Sequence, residues 1–459
     1  MILSIILAAG EGTRMKSKLP KVLHKVCGKP LVSHVIKAAK GANIDKNVVV
    51  VGHGGDAVKK ALNENVEYAV QPIGEGVPYG TGFAVMQAKD YIEDESYVII
   101  LYGDTPLITS KTISELITFT KDGNYQATVL TADFVDPTGY GRIIRDSKGN
   151  VKAIVEHKDA SDEQRAIPEI NSGIYCFTGK HLKETLDRLD NNNVQNEYYI
   201  TDAIKILNDL GHKVGGYKIE DSDEIAGINS RIQLAEAEKI MRYRINEKLM
   251  VNGVTIINPD NTYIDSDVKI ERDTIIYPGA IIEGDTEIGE DCIIGHGTRI
   301  VNSKIGNEVE IQSSTVLESK IDDFTKVGPY AFLRPKSEIG KNVKIGDFVE
   351  VKNSKIDDNS KASHLSYIGD AEVGKNVNIG CGAVFVNYDG KNKHKTTVKD
   401  NAFIGCNANL VAPVTVKENG YVAAGSTITQ DVQEKSLSIA RAKQVNKENW
   451  VEKKGLMKK

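Results

Sequence analysis

The sequence predicts an α/β protein in two parts: a mostly parallel sheet covered by helices, then a connecting helix and a parallel β-helix. Three observations predict this organisation. Apolar strand-like runs alternate with helical stretches over residues 1–229. A helical segment follows at 230–250, and from about residue 251 an aliphatic residue recurs at every sixth position. At 459 residues the chain is long enough for more than one hydrophobic core.

The first part reads as alternating strands and helices. Strand-like runs lie at 2–7, 48–51, 97–101, 127–131 and 173–177. Helical stretches lie between them, for example at 31–40, 56–62 and 82–88. This alternation is typical of a mostly parallel sheet that binds ligands at the carboxyl ends of its strands.

The first strand opens into a glycine-rich turn that carries two cations. Gly10 and Gly12 lack the Cβ atoms that would keep backbone N–H groups away from a phosphate. Arg14 and Lys21 add charged donors for phosphate oxygens. The spacing is neither that of a Walker loop nor that of a dinucleotide-binding turn. The segment therefore predicts a phosphate-binding turn of another class.

A carboxylate stands at the end of another predicted strand. Asp104 follows the run at 97–101, where it would face the glycine-rich turn. Mg²⁺ prefers oxygen ligands and usually binds one or two carboxylates together with substrate phosphates. Taken alone, Asp104 fits a turn-capping role equally well. Beside the glycine-rich turn, metal binding is the favoured interpretation.

Residues 230–250 read as a helix that connects the two parts. Ser230 and Gln233 have the spacing of a capping box. The positions expected to supply its apolar contacts are Ile232, Ala235, Ile240 and Leu249.

The second part, 251–459, repeats with a period of six. The strict run is Ile264, Ile270, Ile276, Ile282, Ile288, Ile294 and Ile300. It continues with small slips to Ile428, which gives about eight or nine triangular coils. We expect left-handed backbone at the corner glycines that follow aliphatic residues, namely Gly289, Gly295, Gly340, Gly346, Gly380 and Gly405. Residues 436–459 are expected to lie outside the repeat, as a solvated, lysine-rich tail.

Polar residues interrupt this repeat in one region. Arg334 and Lys352 are 18 residues apart, which is one full coil, so they should stack on one face and suit a sugar phosphate. His364 and Tyr367 follow. A single histidine on a solenoid is more often a surface residue, but beside two stacked cations a general base is favoured, because imidazole titrates near ~6.5. Residues 386–397 break the period and should form a loop.

Composition excludes several classes of protein. The formal net charge of −5 offers no basic field for a nucleic-acid partner. The five cysteines are far apart and form no CxxC pair, which favours reduced thiols in a cytoplasmic protein. No apolar stretch approaches the ~20 residues of a membrane span, and the first apolar run reads as a strand and not as a signal peptide.

The first part carries further motifs in a fixed order, at 136–143, 154–159, 169–173, 197–202 and 227–229. The opening turn resembles the signature of sugar-nucleotide pyrophosphorylases. Taken with these motifs and the repeat, the chain resembles the bifunctional bacterial N-acetylglucosamine-1-phosphate uridyltransferase/glucosamine-1-phosphate acetyltransferase family over nearly its whole length. The resemblance implies a Rossmann-like nucleotidyltransferase domain, a left-handed β-helix, a homotrimer with acetyl-transfer sites between subunits, and Mg²⁺ as cofactor.

The resemblance also assigns residues to the first site. Arg14 and Lys21 would be its catalytic cations, and Asp104 and Asn229 would bind the metal. The residues implied for UTP and N-acetylglucosamine 1-phosphate are Leu7, Ala8, Ala9, Gly10, Lys21, Gln71, Gly80, Thr81, Tyr102, Gly141, Glu156, Asn171 and Asn229. One departure is the eight-residue loop between Gln71 and Gly80, which is longer than is typical of the family and leaves the role of Gln71 open.

For the second site, the resemblance implies His364 as general base. Glucosamine 1-phosphate would be bound by Arg334, Lys352, Tyr367 and Asn378. Acetyl-CoA would be bound by Cys381, Asn387, Tyr388, Cys406, Ala424 and Arg441, with Lys393 nearby. Cys406 stands where related chains often have serine.

The expected function is acetylation of glucosamine 1-phosphate followed by uridylyl transfer, which yields UDP-N-acetylglucosamine. Two alternatives stay open. The β-helix could be only a structural stalk behind a working nucleotidyltransferase, although this predicts no cluster such as Arg334, Lys352 and His364. The chain could instead bind sugar nucleotides without turnover, although a sensor would not need Arg14 and Lys21.

Overall fold

The computed structural model describes residues 1–62, 64–193 and 195–457. The chain divides into two compact units, Met1–Met241 and Arg242–Lys459. A helix at Arg231–Val251 runs across this division.

The first unit is built on one mixed sheet. Its strands lie in the spatial order Val214–Ile219, Ala127–Asp133, Glu169–Thr178, Tyr97–Tyr102, Ile2–Ala8, Lys46–Val51 and Glu67–Val70, with Arg142–Arg145 and Val151–Val155 attached at one side. Its α-helices are Leu31–Gly41, Gly55–Ala61, Thr81–Met86, Ser110–Asp122, Asp162–Arg165, Gly179–Leu186 and Asp202–Asp209. Short 3₁₀ turns and a small hairpin complete it, at Thr13–Met15, Lys21–Leu23, Lys89–Tyr91 and Ser222–Ile225, and at Lys25–Val26 with Lys29–Pro30.

The sheet explains where the first site lies. Ile2–Ala8 is parallel to Lys46–Val51 on one side and to Tyr97–Tyr102 on the other. Separate apolar clusters cover its two faces, so these strands are buried on both sides and read as continuous apolar runs. Their carboxyl ends therefore meet at one edge, as predicted. Glu169–Thr178 differs, because it runs antiparallel to both neighbours.

The connecting helix begins where the capping pattern predicts, and of its four predicted apolar positions Leu249 is buried. The N–H of Gln233 donates to the Ser230 hydroxyl at 3.2 Å. The Gln233 amide oxygen accepts from the Asn229 N–H at 2.8 Å and from the Ser230 hydroxyl at 3.4 Å, where a capping box would have it accept from the Ser230 N–H. The predicted apolar positions Ile232 and Ala235 are exposed. The buried positions are Ala237, Asn246 and Leu249. The helix therefore has no continuous apolar stripe, and it makes specific polar contacts near its beginning.

The second unit is a parallel β-helix of three sheets. The first sheet contains Thr255–Ile256, Ile275–Ile276, Ile293–Ile294, Glu310–Ile311, Lys326–Val327, Lys344–Asp347, Lys361–His364, Asn378–Ile379, Phe403–Ile404, Tyr421–Val422 and Leu437–Ser438. The second contains Tyr263–Ile264, Ile281–Glu283, Arg299–Val301, Thr315–Leu317, Phe332–Leu333, Glu350–Lys352, Tyr367–Gly369, Val384–Val386, Asn409–Val411 and Thr427–Ile428. The third contains Lys269–Ile270, Glu287–Ile288, Lys304–Ile305, Lys320–Ile321, Glu338–Ile339, Lys355–Ile356, Ala371–Val373, Thr396–Val398 and Val414–Val416. A 3₁₀ turn at Pro259–Asn261 and a helix at Trp450–Lys453 lie outside the sheets.

The period of six predicts the core of this unit. The isoleucines at every sixth position from Ile264 to Ile300 are all buried, and they form one apolar cluster with the later repeats. The sheets hold eleven, ten and nine strands, so eight or nine coils is an underestimate. The aliphatic pattern does not show one of the coils, because the residue at its core position, Ala362, has a small side chain. The tail was also placed too early, because Leu437–Ser438 still pairs with Tyr421–Val422.

The prediction of left-handed backbone at the six corner glycines is wrong. None of them has a positive φ; corners of that kind are instead occupied by residues such as Asn342, Asn376 and Asn401. Space is the actual requirement. A Cβ on Gly289 would lie 2.7 Å from the carbonyl oxygen of Gly306 on the next coil. These glycines allow the coils to stack closely.

Gly289→Ala is therefore expected to destabilise the second unit by about 1–3 kcal/mol, because the coils must separate to admit the methyl group. Thermal or urea unfolding of the full chain measures this, with the exposed Lys304→Ala on the neighbouring coil as the control. Unfolding indistinguishable from that of the native chain would show that the coils adjust without cost.

Candidate functional site

The glycine-rich turn has the geometry of a phosphate cradle. Gly12 has φ +69°, and a Cβ there would lie 2.6 Å from the Cβ of Lys21, so the turn requires glycine on both counts. A Cβ on Gly10 would meet no described atom within 4 Å. The backbone at Gly10 therefore faces open space, where an anion can approach its N–H.

Lys21 lies between the two predicted metal ligands. Its ammonium forms an ion pair with the Asp104 carboxylate and donates to the Asn229 amide oxygen at 3.1 Å. Both side chains of the ion pair are mostly buried. Because one ammonium reaches both oxygens, Asp104 and Asn229 are close enough together to hold one cation. In the described ranges, no three His, Cys, Asp or Glu side chains converge as a metal site, so such a cation would complete its ligands with substrate phosphates and water.

Arg14 is exposed in its 3₁₀ turn and lies near the same edge. Burial raises the pKa of Tyr140, the charge of Asp104 adds to this, and the charge of Arg14 opposes it. Tyr140 is therefore within electrostatic reach of both groups. Arg14 does not line the cavity at this edge, so the structure places its exposed guanidinium near the site but not within it.

A cavity of about 220 Å³ lies at this edge of the sheet. The predicted residues that line it are Leu7, Ala8, Ala9, Gly10, Lys21, Gln71, Gly80, Thr81, Tyr102 and Asp104. Gln71 is buried, and its N–H donates to the carbonyl of Val51, so the long loop leaves it in the cleft. Tyr79 and Glu197 line the cavity as well; they belong to the long loop and to the motif at 197–202, but the sequence assigns neither of them a role in the site.

A second cavity, of about 650 Å³, shares Thr81 and Tyr102 with the first. Glu156 and Asn171 line it, and a Cβ on Gly141 would lie 3.4 Å from Glu156 Oε1. The structure therefore brings these three predicted residues together beside the nucleotide-sized cleft. Burial raises the pKa of Glu156, and the nearby carboxylates of Asp159 and Asp202 raise it further. The ordinary pKa of a glutamate carboxyl is 4.5.

The second unit places its predicted base at a corner of the β-helix. His364 pairs in register with Asp347 on the preceding coil, and its Nδ1 lies 2.6 Å from Asp347 Oδ1. The contact with His364 lowers the pKa of Asp347, which keeps that carboxylate ionised. A carboxylate on Nδ1 fixes the ring and leaves Nε2 to exchange a proton. Asp347 does not follow from the 18-residue spacing, because the coil between it and His364 has 17 residues.

Below His364, other predicted residues form a column along the same corner. Ala362 pairs with Ile379, Ile379 with Ile404, and Ile404 with Val422. Two residues beyond each of these lie His364 and the predicted acetyl-CoA residues Cys381, Cys406 and Ala424. Arg441 lies at the end of the column, where its Cδ would be 3.7 Å from a Cβ on Gly425. Cys381 and Cys406 are both exposed and free.

A cluster of cations lies where strands of the second sheet end, after Phe332–Leu333 and at the end of Glu350–Lys352. Leu333 pairs with Val351, so Arg334 and Lys352 stack one coil apart as predicted. The pKa of Lys352 is lowered, chiefly by its contact with Lys393 and next by burial. The charge of Arg334 acts in the same direction. Lys393 comes from the predicted loop, which leaves the β-helix between Val384–Val386 and Thr396–Val398. Arg334 is already paired with Glu350 at 2.8 Å, and Asp370 acts on Lys352 in the opposite direction, so the charge that an anionic ligand would offset is chiefly that of Lys352 and Lys393.

Tyr367 and Asn387 lie next to these cations. Lys352 pairs with Gly369, the Asn387 amide lies 3.4 Å from the Tyr367 hydroxyl, and Asn387 also bonds to Asp370. Tyr388 is exposed on the loop. Asn378 is separate from this cluster, because it lies on the first sheet in register with Lys361.

Two family models identify the class of protein to which this fold belongs, a nucleotidyltransferase followed by a hexapeptide-repeat transferase. Residues 3–223 match the nucleotidyl transferase family model, and residues 267–302 match the bacterial transferase hexapeptide (six repeats) model. The hexapeptide match and the three parallel sheets are consistent with a left-handed β-helix.

Full-length relatives define the family more narrowly. The chain is 60% identical over 451 residues to the Bifunctional protein GlmU of Clostridioides difficile, covering 98% of this chain and 97% of the relative. It is 57% identical over 456 residues to that of Alkaliphilus metalliredigens, with 99% of each covered, and 59% over 458 residues to that of Acetivibrio thermocellus, with 100% and 98% covered. The chain therefore belongs to the family of bifunctional GlmU proteins. Within its described part, no helix has the length and apolar character needed to cross a membrane.

Proposed function

We propose that this chain catalyses two successive reactions. The second unit transfers acetyl from acetyl-CoA to glucosamine 1-phosphate, and the first unit transfers uridylyl from UTP to N-acetylglucosamine 1-phosphate with release of pyrophosphate. One observation carries the proposal: each unit gathers, from segments far apart in sequence, the charged groups that its reaction needs. Lys21 with Asp104 and Asn229 supports the first reaction, and His364 with Asp347 supports the second.

For uridylyl transfer, the sugar phosphate oxygen attacks the α-phosphorus of UTP, and the bond to pyrophosphate breaks. Lys21 and Arg14 neutralise charge on the triphosphate, so positioning and electrostatics supply most of the rate. A divalent cation, which we propose is Mg²⁺, would be held by Asp104 and Asn229 and would neutralise the phosphates further. Gln71, together with Gly80 and Thr81, would read the uracil, and Gly141, Glu156 and Asn171 would hold the sugar.

For acetyl transfer, His364 Nε2 removes a proton from the amine as the nitrogen attacks the thioester carbonyl. The new C–N bond forms, the C–S bond breaks, and coenzyme A leaves as a thiolate that takes up a proton. Arg334, Lys352 and Lys393 would hold the sugar phosphate, with Tyr367 toward the sugar. Asn378, which the resemblance assigns to the same ligand, lies apart from this cluster on the first sheet. The column of Cys381, Cys406, Ala424 and Arg441 would hold acetyl-CoA, with Asn387 and Tyr388 beside it.

We propose residues 1–229 as the uridyltransferase domain, 230–250 as its connecting helix and 251–459 as the acetyltransferase domain. The proposed assembly is a homotrimer in the cytoplasm, with small-molecule substrates and no nucleic-acid or membrane partner. The exposed thiols of Cys381 and Cys406 suit a reducing compartment.

Two assays on the native chain test the proposal. Thiol release from acetyl-CoA with glucosamine 1-phosphate reports the second reaction, and pyrophosphate release from UTP with N-acetylglucosamine 1-phosphate reports the first. Pyrophosphate without thiol would make the β-helix a structural stalk. Failure of both would leave binding without turnover.

Glu156→Gln is expected to raise the KM for the sugar phosphate and also to raise thermal stability at neutral pH. The pKa of Glu156 is higher in the folded chain than its ordinary value of 4.5, so the folded chain favours the protonated carboxyl. The stability that this adds is fully present below pH 4.5 and is lost as the pH rises through the pKa of the folded chain. The neutral amide avoids this loss, so the stability gain should vanish in acid. Melting curves at neutral and acidic pH, combined with KM measurements, check both parts. A gain that persists in acid would contradict the ionisation argument.

A further inference from the structure

The first residue of the connecting helix reaches two separate turns of the first unit. Arg231 Nε donates to the carbonyl oxygen of Met15 at 3.3 Å, and its Nη1 lies 3.3 Å from His24 Nδ1. A guanidinium suits this position because its donors point in fixed, different directions. One side chain therefore links residues 15 and 24 of the segment that follows the glycine-rich turn.

Those two turns carry the two catalytic cations. Met15 closes the 3₁₀ turn Thr13–Met15, which contains Arg14. His24 directly follows the turn Lys21–Leu23, and its N–H donates to the carbonyl of Lys21 at 3.1 Å. Arg231 thus connects the two turns through Met15 and His24, each of which adjoins one of the two cations.

The buried ring of His24 has only part of its hydrogen-bonding capacity satisfied. The ring is 6% exposed, and its Nε2 has no hydrogen-bond partner in the structure. Burial lowers the pKa of His24, the charge of Arg231 lowers it further, and a backbone contact with Leu19 acts in the opposite direction; the net lowering favours the neutral ring, whose Nδ1 can accept from Arg231. A buried imidazole with one unpaired nitrogen lowers the stability of the folded state. A histidine at this position is therefore easier to explain by a functional role of its contact with Arg231 than by stability.

The same helix holds the neighbouring elements of the site. Glu238, two turns after Arg231, accepts from the N–H of Cys27 at 2.7 Å in the small hairpin. Gln233 accepts from the N–H of Asn229 at 2.8 Å, which fixes the backbone of a proposed metal ligand. The start of the helix is thus anchored to the glycine-rich segment at several points.

We propose that Arg231 is a positioning residue for uridylyl transfer, which holds the turns of Arg14 and Lys21 in the geometry that the triphosphate requires. The inference rests on the proposed function of the first unit. Small displacements of catalytic groups cost rate, and about 100-fold is typical of a misplacement near 1 Å.

The test compares Arg231→Ala, Arg231→Lys and a matched control, Arg242→Ala, in the full chain. Arg242 lies on the same helix and packs over the ring of Tyr263. We expect Arg231→Ala to lower kcat for pyrophosphate release by about 100-fold, with a smaller change in KM for UTP. Thiol release from acetyl-CoA should stay at the native rate. Lysine has one donor group and should restore only part of kcat, and added guanidinium ion should restore part of it in Arg231→Ala.

Each outcome decides the inference. Partial rescue by guanidinium, with the melting temperature near native, supports a positioning role. A kcat for Arg231→Ala equal to that of Arg242→Ala overturns it. A lower melting temperature without rescue by guanidinium or lysine also overturns it, because the role is then structural only. If the native chain releases no pyrophosphate, it is the proposed function of the first unit that fails.

Discussion

Replacing His364 by alanine is expected to lower the rate of thiol release from acetyl-CoA by about 10²- to 10⁴-fold and to leave pyrophosphate release at the native rate. The physical reason is the loss of the group that accepts the amine proton as the nitrogen attacks the thioester. An ammonium has no lone pair to attack with, so the reaction slows without changing the fold. His364 is exposed at a corner, which makes a stability effect small.

Asp347→Asn provides the intermediate case. The amide can still meet His364 Nδ1 but cannot stabilise the imidazolium that forms during proton transfer. We expect a smaller loss than in His364→Ala, with KM for both substrates unchanged. The control is His296→Ala, because His296 is also an exposed histidine, on an earlier coil of the β-helix.

Two results would contradict this assignment. Thiol release that survives His364→Ala keeps the activity but requires another base. Equal losses in His364→Ala and His296→Ala would indicate that histidine removal disturbs the β-helix generally.

The fold was largely predictable because it depends on local periodicity. A buried aliphatic residue at each sixth position requires only that each short face turn its side chain inward, and Ile264 through Ile300 do so. Errors arose where the same pattern served a different physical need. Gly289 looks like a residue of unusual φ, but it provides space for the next coil, and only the stacking of coils reveals this.

The sites were predictable where the chemistry lies in one segment or recurs by a whole coil. Arg334 and Lys352 were found from their 18-residue separation, and the structure stacks them. Asp347 was missed because its coil to His364 has 17 residues. Arg231 could not be found at all, because its role depends on where a side chain from a distant helix points. Such contacts depend on tertiary packing, which sequence spacing does not encode.

Asp104→Asn is expected to lower pyrophosphate release by about 10²- to 10³-fold and to raise the concentration of Mg²⁺ needed for half-maximal rate. The carboxylate is the one negatively charged ligand in the Asp104–Asn229 pair, so an amide leaves the cation bound by two neutral oxygens. Lys21 also loses its ion-pair partner and keeps only the bond to Asn229. Thiol release should be unaffected, since it belongs to the other unit.

The matched control for this variant is Asp133→Asn. Asp133 also ends a strand of the same sheet, Ala127–Asp133, but pairs with Lys218 at 2.6 Å on the surface. If Asp104 only caps a turn, the two variants should behave alike, with native rates at saturating Mg²⁺. If Asp104 holds the metal, only Asp104→Asn shows the shifted Mg²⁺ dependence, and Mn²⁺, which also accepts oxygen ligands, should recover part of the rate. A metal-independent loss would instead assign the effect to Lys21, whose position the carboxylate fixes.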